Sequence, residues 1–404
     1  MRTLAFAWRY LWSRPLAAGL NLLLLTLGLA SITFLLLASH QIDQAFERDL
    51  AGIDVVVGAK GSPMQLILSG VLHLDVPTGN IPLEAISTLQ AHPQVAKVIP
   101  ISLGDNFRGF RIVGTTPDYL AHYGVELAQG VLWKAPMEVV LGAQVARQTG
   151  LKTGDRFTGS HGLGSGGHDH GESPYTVTGI LAASGSVLDR LVLTPTESVW
   201  KVHEKSHEGD TPLDDEDRAA LEADREVTLA LVQYKSPLAA VSFPRFINTT
   251  TGWQAASPAV EITRLLGMVG VGTNVLRALA GVLLLTAGLS VFIALWSAVR
   301  ERRADLAVLR MLGATPRRVA GLLLCEALLL AALATVLGLL AGQGLMALVA
   351  QALQLETALL VGGVSWPAAL LAIPALALLV GLLSALLPAV EAYRINVAGL
   401  LQDR

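Results

Sequence analysis

The stretch RERRADLAVLRMLGATPRR, Arg300–Arg318, carries six arginines, one glutamate and one aspartate. The residues before it, Val271–Val299, hold a single charge, Arg277, and those after it, Val319–Ala350, hold only Glu326. About 20 mostly apolar residues suffice to cross about 30 Å of hydrocarbon. A basic knot between two such stretches is what a short loop joining two transmembrane helices requires. Within the knot, Ala304, Ala307, Val308 and Met311 fall on one stripe, and Leu306, Leu309 and Leu312 on a neighbouring one. Spacings of three and four predict an amphipathic helix from Glu301 to Leu312. Gly313 suits a left-handed C-terminal cap, and Pro316 follows shortly after it.

Working outward, Leu16–Ala38 and Trp366–Val390 carry no charge at all, which makes four apolar stretches. The bilayer interior offers backbone groups no water, so each is read as a helix. Composition agrees. The chain of 404 residues is 52% hydrophobic and 15% charged, against about 25% charged in an average soluble domain. Arg2, Arg9 and Arg14 precede the first stretch, as basic residues precede a signal peptide. The stretch is longer than a signal core and lacks a clear small-residue cleavage pattern, so it is read as a retained anchor. Ahead of it, Phe6, Trp8, Tyr10 and Trp12 lie beside arginines, a composition suited to a helix lying in the headgroup layer of membrane lipid.

Arginine placement sets the topology. Basic residues gather before the first span, between the second and third, and after the fourth (Arg394, Arg404), whereas Gln351–Ser365 has neither lysine nor arginine. Short basic loops stay cytoplasmic, so both termini lie inside and residues 39–270 outside. The divisions read from the sequence are an interfacial segment 1–15; spans 16–38, 271–299, 319–350 and 366–390; an external domain 39–270; a cytoplasmic coupling loop 300–318; a short external loop 351–365; and a cytoplasmic tail 391–404. Net charge is −3, which argues for no nucleic-acid partner. The single cysteine, Cys325, lies in the third span, so no disulfide forms within the chain. The external domain needs its own hydrophobic core, which about 230 residues can build.

That domain reads as mixed α/β. Strands are expected at Val95–Leu103 and Phe107–Thr115 around a turn at Gly104-Asp105-Asn106, at Glu138–Leu141, Asp155–Thr158, Tyr175–Leu181, Val187–Leu193 and Val227–Tyr234. Helices are expected at Ala143–Gln148, ended by Gly150, and at Pro237–Ile247. Another should start at Thr194-Pro195-Thr196-Glu197, with the first Thr as cap and Pro in the first position. Met64–Leu74 is too short to cross a membrane yet strongly apolar. It reads either as a buried packing element or as a segment that contacts substrate near the bilayer.

Two clusters suit metals. In HGLGSGGHDHGE, His161–Glu172, the side chains of His161, His168, Asp169 and His170 sit in a glycine tract that can fold around an ion. Imidazole and carboxylate together suit zinc, copper or nickel. The alternative is a solvated loop between strands ending near Thr158 and starting near Tyr175. His203 and His207 lie four apart on the helix begun at Thr194, followed by an acidic run that is solvated in most proteins. His73, His92 and His122 are isolated and read as structural. There is no G-x-S-x-G, and catalysis by this chain is not expected. No G-x-x-x-x-G-K-[ST] occurs either, so ATP hydrolysis by a P-loop in this chain is not expected. Gly338-x-x-x-Gly342 allows close approach of helices, within the chain or across a dimer seam.

RERRADLAVLRMLGATPRRV followed by a long apolar helix resembles the most characteristic segment of the MacB/FtsX-type permease family. EVVLGAQVARQTGLKTGDRF (Glu138–Phe157) is similar to an external-domain motif of these permeases, and LLPAVEAYRINVAGLL (Leu386–Leu401) to their C-terminal signature. The resemblance implies an α-helical membrane protein with four transmembrane helices and a large α/β periplasmic domain inserted between helices 1 and 2. It implies a non-catalytic permease subunit of a mechanotransmission ABC transporter, in a bacterial inner membrane, that dimerises with a second copy of itself. A cytoplasmic ABC ATPase would be contacted through Glu301, Asp305, Leu306, Leu309, Met311, Leu312 and Gly313. The periplasmic client would be a lipoprotein, peptide, lipid, binding protein or other soluble partner. Two other readings stand beside it: a zinc-linked transport component using the histidine loops, and a non-transport scaffold that regulates an envelope enzyme.

Overall fold

A computed structural model of the chain describes residues 2–13, 15–160, 174–205, 225–301, 308, 310–356 and 365–394. The chain divides into two compact units. One comprises residues 1–43, 268–352 and 362–404; the other comprises 44–267 with 353–361.

Among the described residues, four helices are long and apolar enough to cross a membrane: Pro15–Leu50, Asn274–Glu301, Pro316–Ala352 and Ala368–Tyr393. The helices that hold the first three spans outrun the apolar stretches that announce them. The Pro15–Leu50 helix continues past Ala38 through SHQIDQAFERDL, the helix that holds the second span starts at Pro258, and the one that holds the third ends at Glu356. Hydropathy marks where lipid must be the solvent. It does not mark where helical hydrogen bonding stops, and the polar continuations keep good helix formers. A short helix, Arg2–Leu11, precedes the first span. It buries Ala7 and Leu11 and exposes Phe6, Trp8 and Trp12, the two-faced arrangement an interfacial segment needs.

Small residues bring these helices together. A Cβ added at Gly338 would lie 2.7 Å from Leu29 Cβ, and one at Gly342 would lie 2.6 Å from Thr33 Cβ. The G-x-x-x-G of the third span is therefore occupied by the first span of the same chain, as close backbone approach requires. Polar side chains add bonds between spans. Ser290 and Asn21 Oδ1 are 2.7 Å apart, Ser384 Oγ donates to the Gly288 carbonyl at 2.8 Å, and Gln343 Nε2 donates to the Ser365 carbonyl at 2.7 Å.

The second unit is built on a ten-stranded sheet in the order β12-β1-β11-β3-β4-β9-β6-β8-β5, with β7 paired to β8; β2 and β10 form a separate pair. The strands are β1 (Val55–Ala59), β2 (Ile81–Pro82), β3 (Val95–Phe107), β4 (Phe110–Thr115), β5 (Leu127–Gly130), β6 (Glu138–Leu141), β7 (Arg156–Phe157), β8 (Tyr175–Leu181), β9 (Val192–Pro195), β10 (Glu226–Val227), β11 (Leu229–Tyr234) and β12 (Trp253–Ala256). Among the described residues, only β4–β9 and β6–β8 are parallel. Two cores line the sheet. One gathers Val55, Val57, Leu89, Val98, Val232 and Phe243 under the helices Glu84–Ala91 and Ala239–Thr250. The other gathers Ile112, Val139, Leu141, Val145, Tyr175 and Val192.

Three local expectations shift. The β3–β4 turn is Arg108-Gly109, both at positive φ, as a two-residue hairpin with right-handed twist demands. Gly104–Asp105 instead sits in a register shift of β3, between Leu103 and Asn106, so that glycine marks a bulge and not the turn. Pro195 ends β9, and the following helix starts at Thr196. Thr194 is a buried strand residue whose hydroxyl donates to the Glu138 carbonyl at 2.9 Å. Where Val187–Leu193 reads as one strand, the chain makes a 3₁₀ turn at Val187–Arg190 before β9. The apolar stretch after Ser62 forms the helix Pro63–Gly70, capped by the Ser62 side chain, with Leu66 and Ile67 fully buried.

Candidate coupling sites

The loop after the second span rests on a packed base. Val291, Leu295 and Val299 of the second span meet Val319, Leu323 and Ala327 of the third, with Ala385 and Ala392 of the fourth. Ala314 of the loop packs against this apolar floor. Met311 is 53% exposed and Leu312 79%, although both belong to the face that the helical spacing marks as apolar. The helical turn closes with the Leu312 N–H donating to the Val308 carbonyl at 2.9 Å. Gly313 follows at φ 94°, a left-handed conformation that costs other residues about 1–2 kcal/mol. The next helix starts at once, its first turn closed by the Arg318 N–H on the Thr315 carbonyl at 2.9 Å. Glu301 is the last residue of the helix holding the second span, and the guanidinium of Arg300 lies 5.8 Å from the Trp296 ring centre. Asp305, Leu306 and Leu309 lie outside the described residues.

A second constellation belongs to the α/β unit and was not visible to motif reading. It surrounds Asp49, in the last turn of the Pro15–Leu50 helix. Asp49 Oδ1 accepts the Val187 N–H at 3.2 Å and faces Arg48 Nε at 3.3 Å. The Asp49 carbonyl accepts the Tyr123 hydroxyl at 2.8 Å. Tyr123 stands edge-on to Tyr119, and the Tyr119 hydroxyl lies 3.0 Å from His73 Nε2. Beside Val187, Asp189 Oδ1 accepts the Ser184 N–H and hydroxyl at 3.0 and 2.9 Å, and its Oδ2 accepts the Gly185 N–H at 2.8 Å. Just beyond, the Tyr234 N–H donates to Asp54 Oδ2 at 2.6 Å. Three separate segments thus grip residues 49–54, where the helix ends.

Burial sets the charge states here. His73 is pushed down to about 3 by desolvation, with the Arg111 charge adding to the effect, so it stays neutral at physiological pH. Desolvation holds both tyrosine hydroxyls well above their ordinary value, with Tyr123 and Asp49 respectively adding to the rise for Tyr119 and Tyr123. These groups can therefore bond and orient, but not exchange protons near neutral pH. The arrangement is a clamp on the end of the Pro15–Leu50 helix. The cue was the spacing of Tyr119 and Tyr123 in PDYLAHY, four apart on one helix face, but Asp49 offers no local signal because its partners lie far along the chain.

Of the histidine clusters, His161, His168, Asp169, His170 and His207 lie outside the described residues, and of His203 only the backbone is described, in the helix Thr196–Lys205. Among the described residues, His92 packs on Phe243 and Phe246 at 4.9 and 5.1 Å, and His122 on Tyr123 at 5.0 Å between ring centres.

Residues 18–240 match the family model of the MacB-like periplasmic core domain, and residues 277–397 match that of the FtsX-like permease C-terminal region. Among solved structures, the chain is similar to the periplasmic region of MacB from Actinobacillus actinomycetemcomitans, with 14% identity over 54% of this chain and 95% of that one and a TM-score of 0.35. It is also similar to the extracellular domain of the noncanonic ABC-type transporter YknZ from Gram-positive bacteria, with 12% identity over 50% and 99% and a TM-score of 0.30. No curated protein matches the chain.

Proposed function

Because the chain belongs to the MacB/FtsX-type permease family, and is thus a multi-pass permease component of an ABC transporter, we propose that it works by mechanotransmission. A separate cytoplasmic ATPase closes on ATP and moves the loop 300–318. The second and third spans tilt in response, and the α/β unit, inserted between the first and second spans and held in the periplasm, acts on an envelope client such as a lipoprotein or peptide. Two copies of the chain work as a pair in a bacterial inner membrane, with both termini cytoplasmic.

The observation that carries this reading is the exposure of Met311 and Leu312 in a loop that holds six arginines and a tight turn. Apolar side chains with no apolar cover, rimmed by charge, suit a helix-in-groove contact with a protein partner. The Asp49 clamp supports the receiving end, since it ties the end of the first long helix to Val187 and Tyr123. The test is Leu312→Asp in the full permease, reconstituted with its ATPase. Burying a charge in an apolar groove costs about 2–3 kcal/mol or more, so ATPase binding should fall by about tenfold or more while membrane insertion is unchanged. Unaltered binding and unaltered client-stimulated ATP hydrolysis would remove the loop as the docking face.

A further inference from the structure

The short connection between the second and third spans turns its large apolar side chains outward and a small one inward. Of residues 311–315, Met311, Leu312, Gly313 and Thr315 are exposed, and Ala314 is partly buried. Ala314 packs against the cluster that Val299 of the second span, Val319 of the third and Ala392 of the fourth help to build. Leu312, two residues earlier, is 79% exposed. The reversal takes place at Gly313. Its φ of 94° lies in a region that side chains resist. Among the described residues, nothing stands within 4 Å of where its Cβ would be. Conformation, and not space, is what asks for glycine there.

Backbone bonding sets this pair of residues apart. On one side the Leu312 N–H donates to the Val308 carbonyl and the Gly313 N–H to the Arg310 carbonyl, at 2.9 and 3.1 Å. On the other side the Arg318 and Val319 N–H groups donate to the Thr315 carbonyl, at 2.9 and 3.3 Å. Each flank is a hydrogen-bonded turn, and Gly313–Ala314 is the joint between them. A push on Leu312 that travels along the chain meets this joint, where a change of backbone torsion absorbs it. Ala314 offers a second route. Its methyl sits against side chains of three spans, and close-packed side chains transmit displacement because they compress little. We propose that Ala314 is the positioning residue through which a displacement of Met311 and Leu312 enters the spans. This rests on the reading of those two side chains as the docking face. In this role Ala314 belongs to the permease floor and adds nothing to the affinity for the partner.

The experiment uses the full chain, reconstituted in lipid with its ATPase, and reads two quantities. One is the affinity for the ATPase. The other is the rate at which a membrane-permeant maleimide modifies Cys325, the chain's single cysteine, with and without ATP and orthovanadate. Cys325 follows Leu324, which packs against the same cluster as Ala314. In the wild type the trapped nucleotide should change the modification rate about tenfold, within the range of coupling between distant sites. Ala314→Asp places a carboxylate against an apolar floor, which rejects it. The nucleotide effect should then vanish while affinity for the ATPase stays within about twofold of the wild type. Ala314→Ser, close to alanine in size, should keep the nucleotide effect. A nucleotide effect that survives Ala314→Asp overturns the proposal, as does a wild-type rate that ignores nucleotide. A loss of affinity in Ala314→Asp as large as that in Leu312→Asp also overturns it, because Ala314 would then belong to the docking face. Full affinity in Leu312→Asp removes the docking reading itself, whatever Ala314→Asp does, so the two failures are told apart.

Discussion

The two units of this chain are held together by opposite means. The α/β unit buries large side chains. Phe243, Tyr119 and Tyr175 are all below 2% exposed, and β1 is buried on both faces. The helical unit brings backbones together at Gly338 and Gly342 and links spans through hydroxyls and amides. The difference follows from the solvent. Around the α/β unit water drives apolar surface inward at about 25 cal/mol per Å². Lipid tails give no such drive between helices, so contact, close approach and hydrogen bonds carry the packing.

The comparison breaks most visibly at Phe243. Phe243→Ala should cost the α/β unit about 3–5 kcal/mol, read as lost hydrogen-exchange protection in β1, β3 and β11. Protection in the four spans should be unchanged. A loss spread equally over both units would mean that they share one core.

Next in size is acid. His73 binds a proton at about pH 3 when folded and at 6.5 when unfolded. Between those values the unfolded chain holds more protons, so stability is complete above pH 6.5 and declines as pH falls toward 3. The slope is up to about 1.4 kcal/mol per pH unit. His73→Asn, whose side chain tolerates the positive φ found there, should flatten the pH dependence of α/β-unit melting between pH 6.5 and 4.5. An unchanged slope would deny His73 this role.

The smallest effect belongs to the spans. Ser290→Ala removes the bond to Asn21 and should cost about 0.6 kcal/mol in a denaturant titration of the full chain in detergent. A loss several times larger would show that this pair is the organising contact of the helical unit and not one of several equal ones.

Much of the molecule was readable from residues alone. Hydropathy located the four long apolar helices, and alternation located most strands of the α/β unit, Tyr175–Leu181 among them. The turn residues misled at Gly104, because glycine serves a bulge as well as a turn, and at Pro195, because proline can close a strand as readily as open a helix. The arginine loop was legible because its signal is local. The Asp49 clamp was not, because its partners Tyr123 and Val187 lie far along the chain.

What the amino-acid order determined by itself is which segments need lipid and which need water, since transfer free energy is a property of any window of about 20 residues. What only the tertiary structure decided is which polar and small residues meet: Ser290 with Asn21, Val187 with Asp49, Gly342 with Thr33. Each pair joins positions far apart in the chain, and a hydrogen bond or a close approach exists only once packing has brought both partners within a few tenths of an ångström of contact.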